Sequence, residues 1–464
     1  MADGNITQFP PKGSRKKPPP SAPPAAGSPT EQTVMRMFTD RNRDEFRYNH
    51  DSKTWFVWRE HRWREDGKQR VFAEILDLCR SLGQGATINK IRFARAVEEG
   101  CRVQREFATI SSEWDADPWF LGTPGGVVDL QSGNLRPGIP ADMISKIVAV
   151  TPTPKATCPK WLKFINEAFD GKVDNISFFQ RFMGYALTGV TSEEMLLFVA
   201  GKPGTGKGTA TKTILSIMRD YALTVPVTMF TDTGWRALEY YRAKLPGRRI
   251  ILASEPEKGA TWSDAFVNEL TGSDMLSARH PAGKPFDFDP THKLVIHGEQ
   301  VPELKSVSTG LKRRLGIMPF NHSPDAPDPN LKDALKAERP GILRWMIDGC
   351  LEWQRIGLAP PPDVRNAVDE YFARQDAVAR WIGECCEQWS TARTQPKDLL
   401  ASYNSWADKS FEKRLNYNGL HDALKKKNFD QTTIHGTNYV HGIAVKPPRN
   451  TSNYNDPDDP QREF

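Results

Sequence analysis

A glycine-rich segment that ends in Gly206-Lys207 contains the residues of this chain best suited to chemistry. It follows an apolar run, 196–200, and precedes a helix-compatible run from Thr209 to Met218. Glycines let backbone N–H groups surround phosphate oxygens, and the start of a helix favours negative charge. Strand, loop, lysine and helix in this order predict a phosphate-binding loop rather than a chance glycine turn. The residues predicted to contact the nucleotide are Gly201, Gly204, Thr205, Gly206, Lys207, Gly208 and Thr209.

The residues that would hold a metal ion depart from the usual phosphate-loop pattern. G-x-x-x-x-G-K-[ST] expects a hydroxyl that binds Mg²⁺ directly after the lysine, and this position is Gly208. Thr209 is the predicted replacement, and Thr211 is a weaker candidate. The segment 248–257 contains a second apolar run, 250–253, that leads to Glu255, a carboxylate that could organise the metal and the attacking water. Glu257 is a less favoured substitute.

Composition narrows the class of protein. The 464 residues are enough for about two to four domains. Lys plus Arg number 63 against 57 Asp plus Glu, a net charge of +6, so DNA contacts would come from local basic surfaces. Six cysteines without paired spacing predict reduced thiols, no structural zinc and a cytoplasmic setting. No signal peptide or membrane-spanning run is found, and we expect no membrane association.

The pattern of elements predicts several domains. Strand and helix signals alternate from about 195 to 320, which is typical of an α/β nucleotide-binding core. Further helices are predicted at 69–82, 88–108, 160–169, 177–187 and 333–355, with a hairpin within 51–66 and a strand–turn–strand at 123–135. A proline-rich linker is predicted at 360–362. The expected division is a disordered tail (1–32), an α+β and helical accessory domain (33–190), the ATPase core (191–355), a winged-helix domain (369–446) and a second disordered tail (447–464).

Several further motifs follow the glycine loop in a fixed order. They are Glu269–His280, Lys293–Pro302 and Gly310–Leu315, preceded upstream by Gly122–Leu130 and Phe182–Gly189. Together they resemble the superfamily 3 helicases of phages, plasmids and large DNA viruses. More narrowly, they resemble the phage and plasmid primase–helicase family, over roughly residues 35–325. About 150 residues precede Pro152 and are similar to that family's accessory domain, so we expect a helicase without its own primase domain.

The resemblance implies a P-loop, AAA+-like core that uses ATP and Mg²⁺. Lys207 would bind the phosphates, and Thr209 and Glu255 would hold the metal, with Glu255 as the Walker B carboxylate. Arg313 or Arg314 would reach the γ-phosphate of a neighbouring subunit, which implies a homo-hexamer. Without the preceding motifs these two would be an ordinary basic surface pair.

The resemblance also places a DNA-gripping hairpin at Arg279, His280 and Lys284. Cationic side chains there would hold the backbone of single-stranded DNA in the central channel. A solvated turn is the alternative at these positions.

Three further positions depart from the family pattern. Ser254 stands where many members carry a second acid, and Asn268 stands where a lysine is common. Glu299 takes the place of a sensor asparagine, and the adjacent Gln300 could supply the amide. A carboxylate at that place would repel the γ-phosphate unless it is paired or protonated. Reduced or differently tuned ATPase activity is therefore an open alternative.

The C-terminal region resembles a winged-helix domain. The pattern predicts an amphipathic helix over 369–389, two short helices at 397–405 and 418–427, and a two-stranded wing over 432–445. A basic, partly aromatic surface suited to DNA phosphates is predicted from Lys413, Arg414, Lys425, Lys426 and Lys427 with Tyr417 and His421. The alternative is a charge cap at a helix C-terminus.

The sequence therefore predicts an ATP-hydrolysing, ring-forming DNA helicase of a phage, prophage or plasmid replication system. It would act on single-stranded and forked DNA in a bacterial host cytoplasm, moving 3′ to 5′ if it follows the family, beside a separate primase or polymerase. One alternative is an ATP-dependent initiator or loader without processive unwinding. Another is a DNA-binding module with a degenerate nucleotide site. Primase activity is a more distant alternative.

Overall fold

The computed structural model describes residues 29–83, 87–231, 235–280, 283–305, 308–324 and 328–447. The predicted tails lie almost wholly outside this range, although the first helix already begins at Glu31. The described residues form two compact units, one of residues up to 59 with 63–113, the other of 60–62 with the rest. Within the described ranges, no helix is both long and apolar enough to cross a membrane.

The first unit packs three helices on a four-stranded sheet with the order β3-β2-β1-β4. Its core includes Trp55, Phe46 and Phe107, and Trp63 is also buried. The helix predicted at 88–108 is shorter than expected and ends at Arg102, beyond which a turn leads into β4. The elements are α1 (Glu31–Asn42), β1 (Phe46–Asn49), β2 (Thr54–Arg59), β3 (Arg62–Glu65), α2 (Arg70–Ser81), α3 (Ile91–Arg102) and β4 (Ala108–Thr109).

The second unit begins with a three-stranded antiparallel sheet and two helices. These are β5 (Phe120–Thr123), β6 (Gly126–Asp129), β7 (Asn134–Arg136), α4 (Pro159–Ala168) and α5 (Val173–Tyr185). The next part of the unit contains β8 (Leu196–Ala200), α6 (Lys207–Met218), β9 (Ala222–Thr224), α7 (Trp235–Arg242), β10 (Ile250–Ser254), α8 (Asp264–Thr271), β11 (Leu276–Arg279), β12 (Pro285–Phe288), β13 (Lys293–Gly298), α9 (Thr309–Arg314), β14 (Leu315–Pro319), α10 (Leu331–Ala337), α11 (Arg339–Ile356) and α12 (Pro362–Gln375).

A parallel five-stranded sheet with the order β14-β8-β13-β10-β9 organises this part of the chain. Its strands are almost entirely buried apolar runs, as expected for a sheet covered on both faces. One face packs with residues of α4, α5, α6 and α11, the other with residues of α8 and α12. The predicted α/β class with a parallel sheet is confirmed.

Two features tie α5 to the rest of the unit. A Cβ added at Gly184 would lie 2.1 Å from the backbone nitrogen of Cys350, so glycine permits the close contact between α5 and α11. Beyond the C-terminus of α5, the buried Arg249 donates to the carbonyl of Leu187 at 2.5 Å. Lys293, also buried, donates to the carbonyl of Thr188. A positive charge is favoured at the C-terminal end of a helix, and Arg249, which directly precedes β10, supplies it.

The C-terminal part contains α13 (Ala377–Cys385), β15 (Cys386–Glu387), β16 (Arg393–Thr394), α14 (Pro396–Lys409), α15 (Tyr417–Lys426), β17 (Gln431–Ile434), β18 (Thr437–His441) and β19 (Ala444–Val445). The single helix predicted over 369–389 is wrong. Asp376 leaves the helical conformation with ψ 77° and its side chain accepts the N–H of Ala379, so it ends α12 and caps α13. The predicted two-stranded wing has a third strand, because β16 pairs with β18.

Candidate functional site

An open cleft of about 800 Å³ lies at the carboxyl edge of the parallel sheet. Here the chain leaves β8 towards α6, and β8 is flanked by β13 and β14. In open α/β sheets, ligands bind outside the carboxyl ends of the strands where the strand order reverses. The cleft is lined by Pro203, Gly204, Thr205, Gly206, Lys207, Gly208, Thr209, Lys212, Thr213, Ser216, Ser254, Glu255, His297, Lys332, Asp333, Lys336 and Arg339.

The loop between β8 and α6 needs its glycines for different reasons. Gly204 and Gly206 both have φ +87°, a conformation that side chains rarely adopt. A Cβ at Gly201 would lie 2.1 Å from the carbonyl oxygen of Phe320, so the chain can pass there only as glycine. The hydroxyl of Thr205 donates to the carbonyl of Lys202 at 2.9 Å and closes the loop on itself.

Lys207 lies in the first turn of α6 with its ammonium folded into the loop. Its Nζ donates to the carbonyls of Gly201 and Lys202 at 2.6 and 2.7 Å. Burial lowers the pKa of Lys207, while the carboxylates of Glu255 and Glu299 act in the opposite direction. The cation is thus held at the cleft by neutral carbonyls, against which a phosphate oxygen would compete strongly.

The three hydroxyl positions considered for metal binding differ in the structure. Thr209 lines the cleft, as the sequence predicted for a ligand. Thr211 is buried, and its hydroxyl contacts the carbonyl of Lys207 and the ring of His297, both at 2.9 Å. Thr211 does not line the cleft, so Thr209 is the better placed of the two hydroxyls for contact with a metal ion there. A Cβ at Gly208 would meet nothing within 4 Å, so the missing hydroxyl leaves open space.

Glu255 directly follows the end of β10 and faces the same cleft. Its φ of +51° is unusual for a residue other than glycine, and such strain is common at functional sites. Its N–H donates to the carbonyl of His297 at 2.9 Å, which fixes the turn beside β13. Thr209, Ser254 and Glu255 offer oxygen donors of the kind that Mg²⁺ prefers, although only one of them carries a charge. Glu257 is exposed and does not line the cleft.

At the end of β13, the predicted sensor residues lie beside the cleft, and the carboxylate of Glu299 is near enough to raise the pKa of Lys207 against the effect of burial. Glu299 and Gln300 are exposed and lie outside its lining. His297, which sequence reasoning missed, is buried and does line it. Burial lowers the pKa of His297, so its neutral form is favoured. The available signal was its place at the carboxyl end of a central strand.

Several cations of the cleft were also missed. Lys212 comes from α6, and Lys332, Lys336 and Arg339 come from α10 and the start of α11. Although Asp333 also lines the cleft, they give it an excess of positive charge that suits a polyphosphate. The lysines of α10 could not be placed from sequence alone, because α10 reaches the cleft through its packing with α4, α6 and α11.

The two arginines at the end of α9 have different surroundings. Arg314 is 12% exposed, and its guanidinium donates to Glu194 at 2.7 Å and to Asn268 at 3.2 Å. Arg313 is 68% exposed and lies 3.8 Å from the same carboxylate. Neither lines the cleft of its own chain. Arg313 is therefore the one available to a neighbouring molecule.

The predicted hairpin is present, because β11 and β12 pair in antiparallel register. Arg279, His280 and Lys284 are all exposed near its tip. The ring of His280 stacks on Phe286 at 5.0 Å, and Arg279 donates to the carbonyl of Gly283 at 3.2 Å. The exposed positive side chains of Arg279 and Lys284 thus lie at the end of the hairpin, which suits contact with phosphates.

The three lysines at the end of α15 also differ in their surroundings. Lys425 and Lys426 are exposed. Lys427 instead donates to Asp376 at 2.5 Å and joins α15 to the start of α13. Tyr417 and His421 stack at 6.4 Å beside them. Of the three, Lys425 and Lys426 therefore remain the free cations of the predicted DNA surface.

Residues 35–170 match the family described as D5 N terminal like. The chain is 22% identical over 344 residues to "Putative helicase L207/L206" of Acanthamoeba polyphaga mimivirus, covering 69% of this chain and 35% of that protein. It is 22% identical over 379 residues to "Putative helicase 022R" of Frog virus 3 (isolate Goorha), covering 63% of this chain and 39% of that protein. The chain therefore spans little more than a third of the length of these curated relatives.

Solved structures add evidence on the fold. The A form apo structure of the NrS-1 C terminal region superposes with a TM-score of 0.52 at 9% identity, covering 90% of this chain and 100% of that one. The apo structure of NrS-1 residues 305–718 gives the same TM-score at 10% identity, covering 90% of this chain and 99% of that one. At such identity the likeness concerns the fold alone. The family match and the two curated relatives confirm the relationship to viral helicases that the motifs indicated.

Proposed function

Because residues 35–170 match the D5 N-terminal-like family and 69% of the chain is similar to a viral protein named as a putative helicase, we propose that it is an ATP-dependent, ring-forming DNA helicase of phage, prophage or plasmid replication. One observation carries the proposal most strongly. A glycine loop with a buried lysine and the carboxylate of Glu255 share one cleft at the edge of a parallel sheet. That arrangement supports a phosphate-binding core that hydrolyses ATP.

In this proposal, Lys207 binds the β- and γ-phosphates and Glu255 orients the attacking water. Thr209 and Glu255 hold a divalent cation, for which Mg²⁺ is the expectation from sequence. The cation would neutralise charge on the phosphates when bound. The exposure of Arg313 supports a role as an arginine finger towards the next subunit of a homo-hexamer, whereas Arg314 is occupied by Glu194.

DNA contacts belong to two surfaces in this proposal. The hairpin with Arg279, His280 and Lys284 would grip single-stranded DNA, and Lys425 and Lys426 would bind phosphates beside the winged-helix-like sheet. Arg279 and Lys284 are exposed cations at the end of the hairpin, and Lys425 and Lys426 are exposed cations in the last turn of α15. Backbone contacts of this kind hold DNA without reading its sequence, as translocation requires.

A DNA-binding module with a degenerate nucleotide site is the second candidate. It is favoured by the lack of a hydroxyl at Gly208, the lack of an acid at Ser254 and the position of Glu299 outside the lining of the cleft. An initiator or loader would share the ATPase core but would not unwind processively.

Unwinding of a forked duplex separates these functions. We expect ATP-dependent strand displacement by the wild type that is lost in Lys207→Ala and retained in Lys163→Ala. Lys163 is an exposed lysine paired with Glu167 on α4, so it controls for the loss of a positive charge. ATP hydrolysis without displacement would indicate a loader, and DNA binding without either activity would indicate the degenerate module.

A further inference from the structure

The part of the cleft where the divalent cation is proposed to bind has few oxygen donors, and a histidine lies beside them. Ser254 and His297 are paired in register at the ends of β10 and β13. Side chains alternate along a strand, and Leu252 and Val295 pack in one cluster with Ala210 of α6. Ser254 and His297 therefore face α6, on the side of the sheet where Gly208 lacks its hydroxyl.

The hydrogen bonds of Thr211 fix which nitrogen of His297 carries a proton. A carbonyl oxygen can only accept a hydrogen bond, so the hydroxyl of Thr211 donates its single proton to the carbonyl of Lys207 at 2.9 Å. The same hydroxyl must then accept from Nδ1–H of His297, also at 2.9 Å. The neutral ring consequently keeps a lone pair on Nε2. Across the described ranges Nε2 has no hydrogen-bond partner, and His297 lines the cleft.

We propose that Nε2 of His297 is a direct ligand of the divalent cation that accompanies the nucleotide, together with the carboxylate of Glu255. This inference rests on the proposed function and deepens it, because it names the kind of metal the site takes. Mg²⁺ demands oxygen ligands, whereas imidazole suits first-row transition ions such as Fe²⁺, Ni²⁺ and Zn²⁺. The site therefore favours a first-row transition ion over Mg²⁺, and Mn²⁺, the transition ion whose ligand preferences are nearest to those of Mg²⁺, is the paramagnetic probe of this preference.

The contact with Thr211 has the form expected around a metal-binding histidine. Such histidines almost always donate their other ring N–H to an oxygen, which fixes the tautomer and the ring orientation. Thr211 is thus a positioning residue. Its replacement by valine keeps the shape and removes the acceptor, so we expect metal affinity to fall by about tenfold.

The inference is tested on the full chain, without a histidine tag, by two measurements with ADP. The first is ADP affinity in Mn²⁺ and in Mg²⁺. The second is electron spin-echo spectroscopy of Mn²⁺–ADP bound to protein labelled with ¹⁵N-histidine, which distinguishes a ring nitrogen from the adenine nitrogens. The variants are His297→Gln and Thr211→Val, with His435→Gln in an exposed turn as the control.

We expect ADP to bind at least about tenfold more tightly with Mn²⁺ than with Mg²⁺, and one directly bound ¹⁵N in the wild type and in His435→Gln. In His297→Gln we expect no nitrogen coupling, and ADP should bind about equally tightly with Mn²⁺ and with Mg²⁺. If His297→Gln does not fold, the wild-type coupling and its weakening in Thr211→Val decide the matter. ADP binding without a coupled ring nitrogen overturns the inference and leaves the proposed function standing, whereas failure to bind ADP with either metal overturns both.

Discussion

Arg313 and Arg314 are neighbours in sequence, yet truncation of each is expected to have a different effect. Arg314→Ala removes two hydrogen bonds of a mostly buried guanidinium and leaves Glu194 without its 2.7 Å partner. Hydrogen bonds to charged groups contribute about 1.5–3 kcal/mol, so we expect a loss of about 2–3 kcal/mol. This corresponds to a decrease in Tm of about 4–12 °C. Arg313→Ala, at an exposed side chain, should change stability by no more than about 0.5 kcal/mol.

The two substitutions should affect catalysis in the opposite order, with the larger loss in Arg313→Ala. Arg313→Ala should lower ATP turnover by about a thousandfold or more if it acts as an arginine finger. Thermal unfolding and DNA-stimulated ATP hydrolysis measure the two effects on the same samples. Mixing Arg313→Ala with Lys207→Ala subunits should restore part of the activity, because some interfaces then combine an intact lysine with an intact neighbouring arginine.

Wild-type turnover in Arg313→Ala, or an unchanged Tm in Arg314→Ala, would refute this reasoning. Failure of the mixture to recover any activity would refute the assignment of the arginine to the neighbouring subunit. Arg313→Lys is the matched control, since it keeps the charge but loses the planar guanidinium that suits the transition state.

Three further predictions follow from the structure. Gly208→Ser should strengthen Mg²⁺–ADP binding measured by calorimetry, because the space at this position is open and can take the hydroxyl. Gly208→Ala adds no hydroxyl and should not strengthen binding. Equal effects of both would contradict the role of the hydroxyl. Burial lowers the pKa of His292 to about 4, so the unfolded chain takes up its proton first and stability falls as pH drops from 6.5 towards 4. That loss should approach about 3 kcal/mol in urea titrations and be absent in His292→Asn, and parallel curves would count against it. Replacing Lys425 and Lys426 together by Ala should reduce the salt dependence of DNA binding by about two charges, whereas Lys427→Ala should mainly lower Tm through the lost contact with Asp376; a reversed pattern would argue against the surface.

The glycine loop and its strands could be predicted from sequence because their signals are local. Leu196–Ala200 is a continuous apolar strand, and Gly204 and Gly206 occupy backbone conformations that glycine tolerates best. Glu255 follows another apolar strand directly. Since parallel strands end at one edge of a sheet, local signals alone brought these residues to the same cleft.

Features that depend on packing between distant segments could not be predicted in this way. His297 lines the cleft because Thr211, 86 positions away in sequence, holds its ring. Arg313 and Arg314 are equivalent in sequence, and they differ because only Arg314 is mostly buried and hydrogen-bonded to Glu194 and Asn268. The break at Asp376 was missed because the apolar periodicity continues through it. The side chain of Asp376 caps the next helix, and this local hydrogen bond competes with continuation of the preceding helix.

Steady-state ATP hydrolysis, with and without single-stranded DNA, tests the central claim most directly. Wild type and Lys207→Ala are compared with Mg²⁺ and with Mn²⁺, so that the choice of metal does not obscure the result. We predict DNA-stimulated turnover in the wild type and none above background in Lys207→Ala. No turnover by the wild type with either metal, while it still binds DNA, would contradict the motor function and support the degenerate-site module.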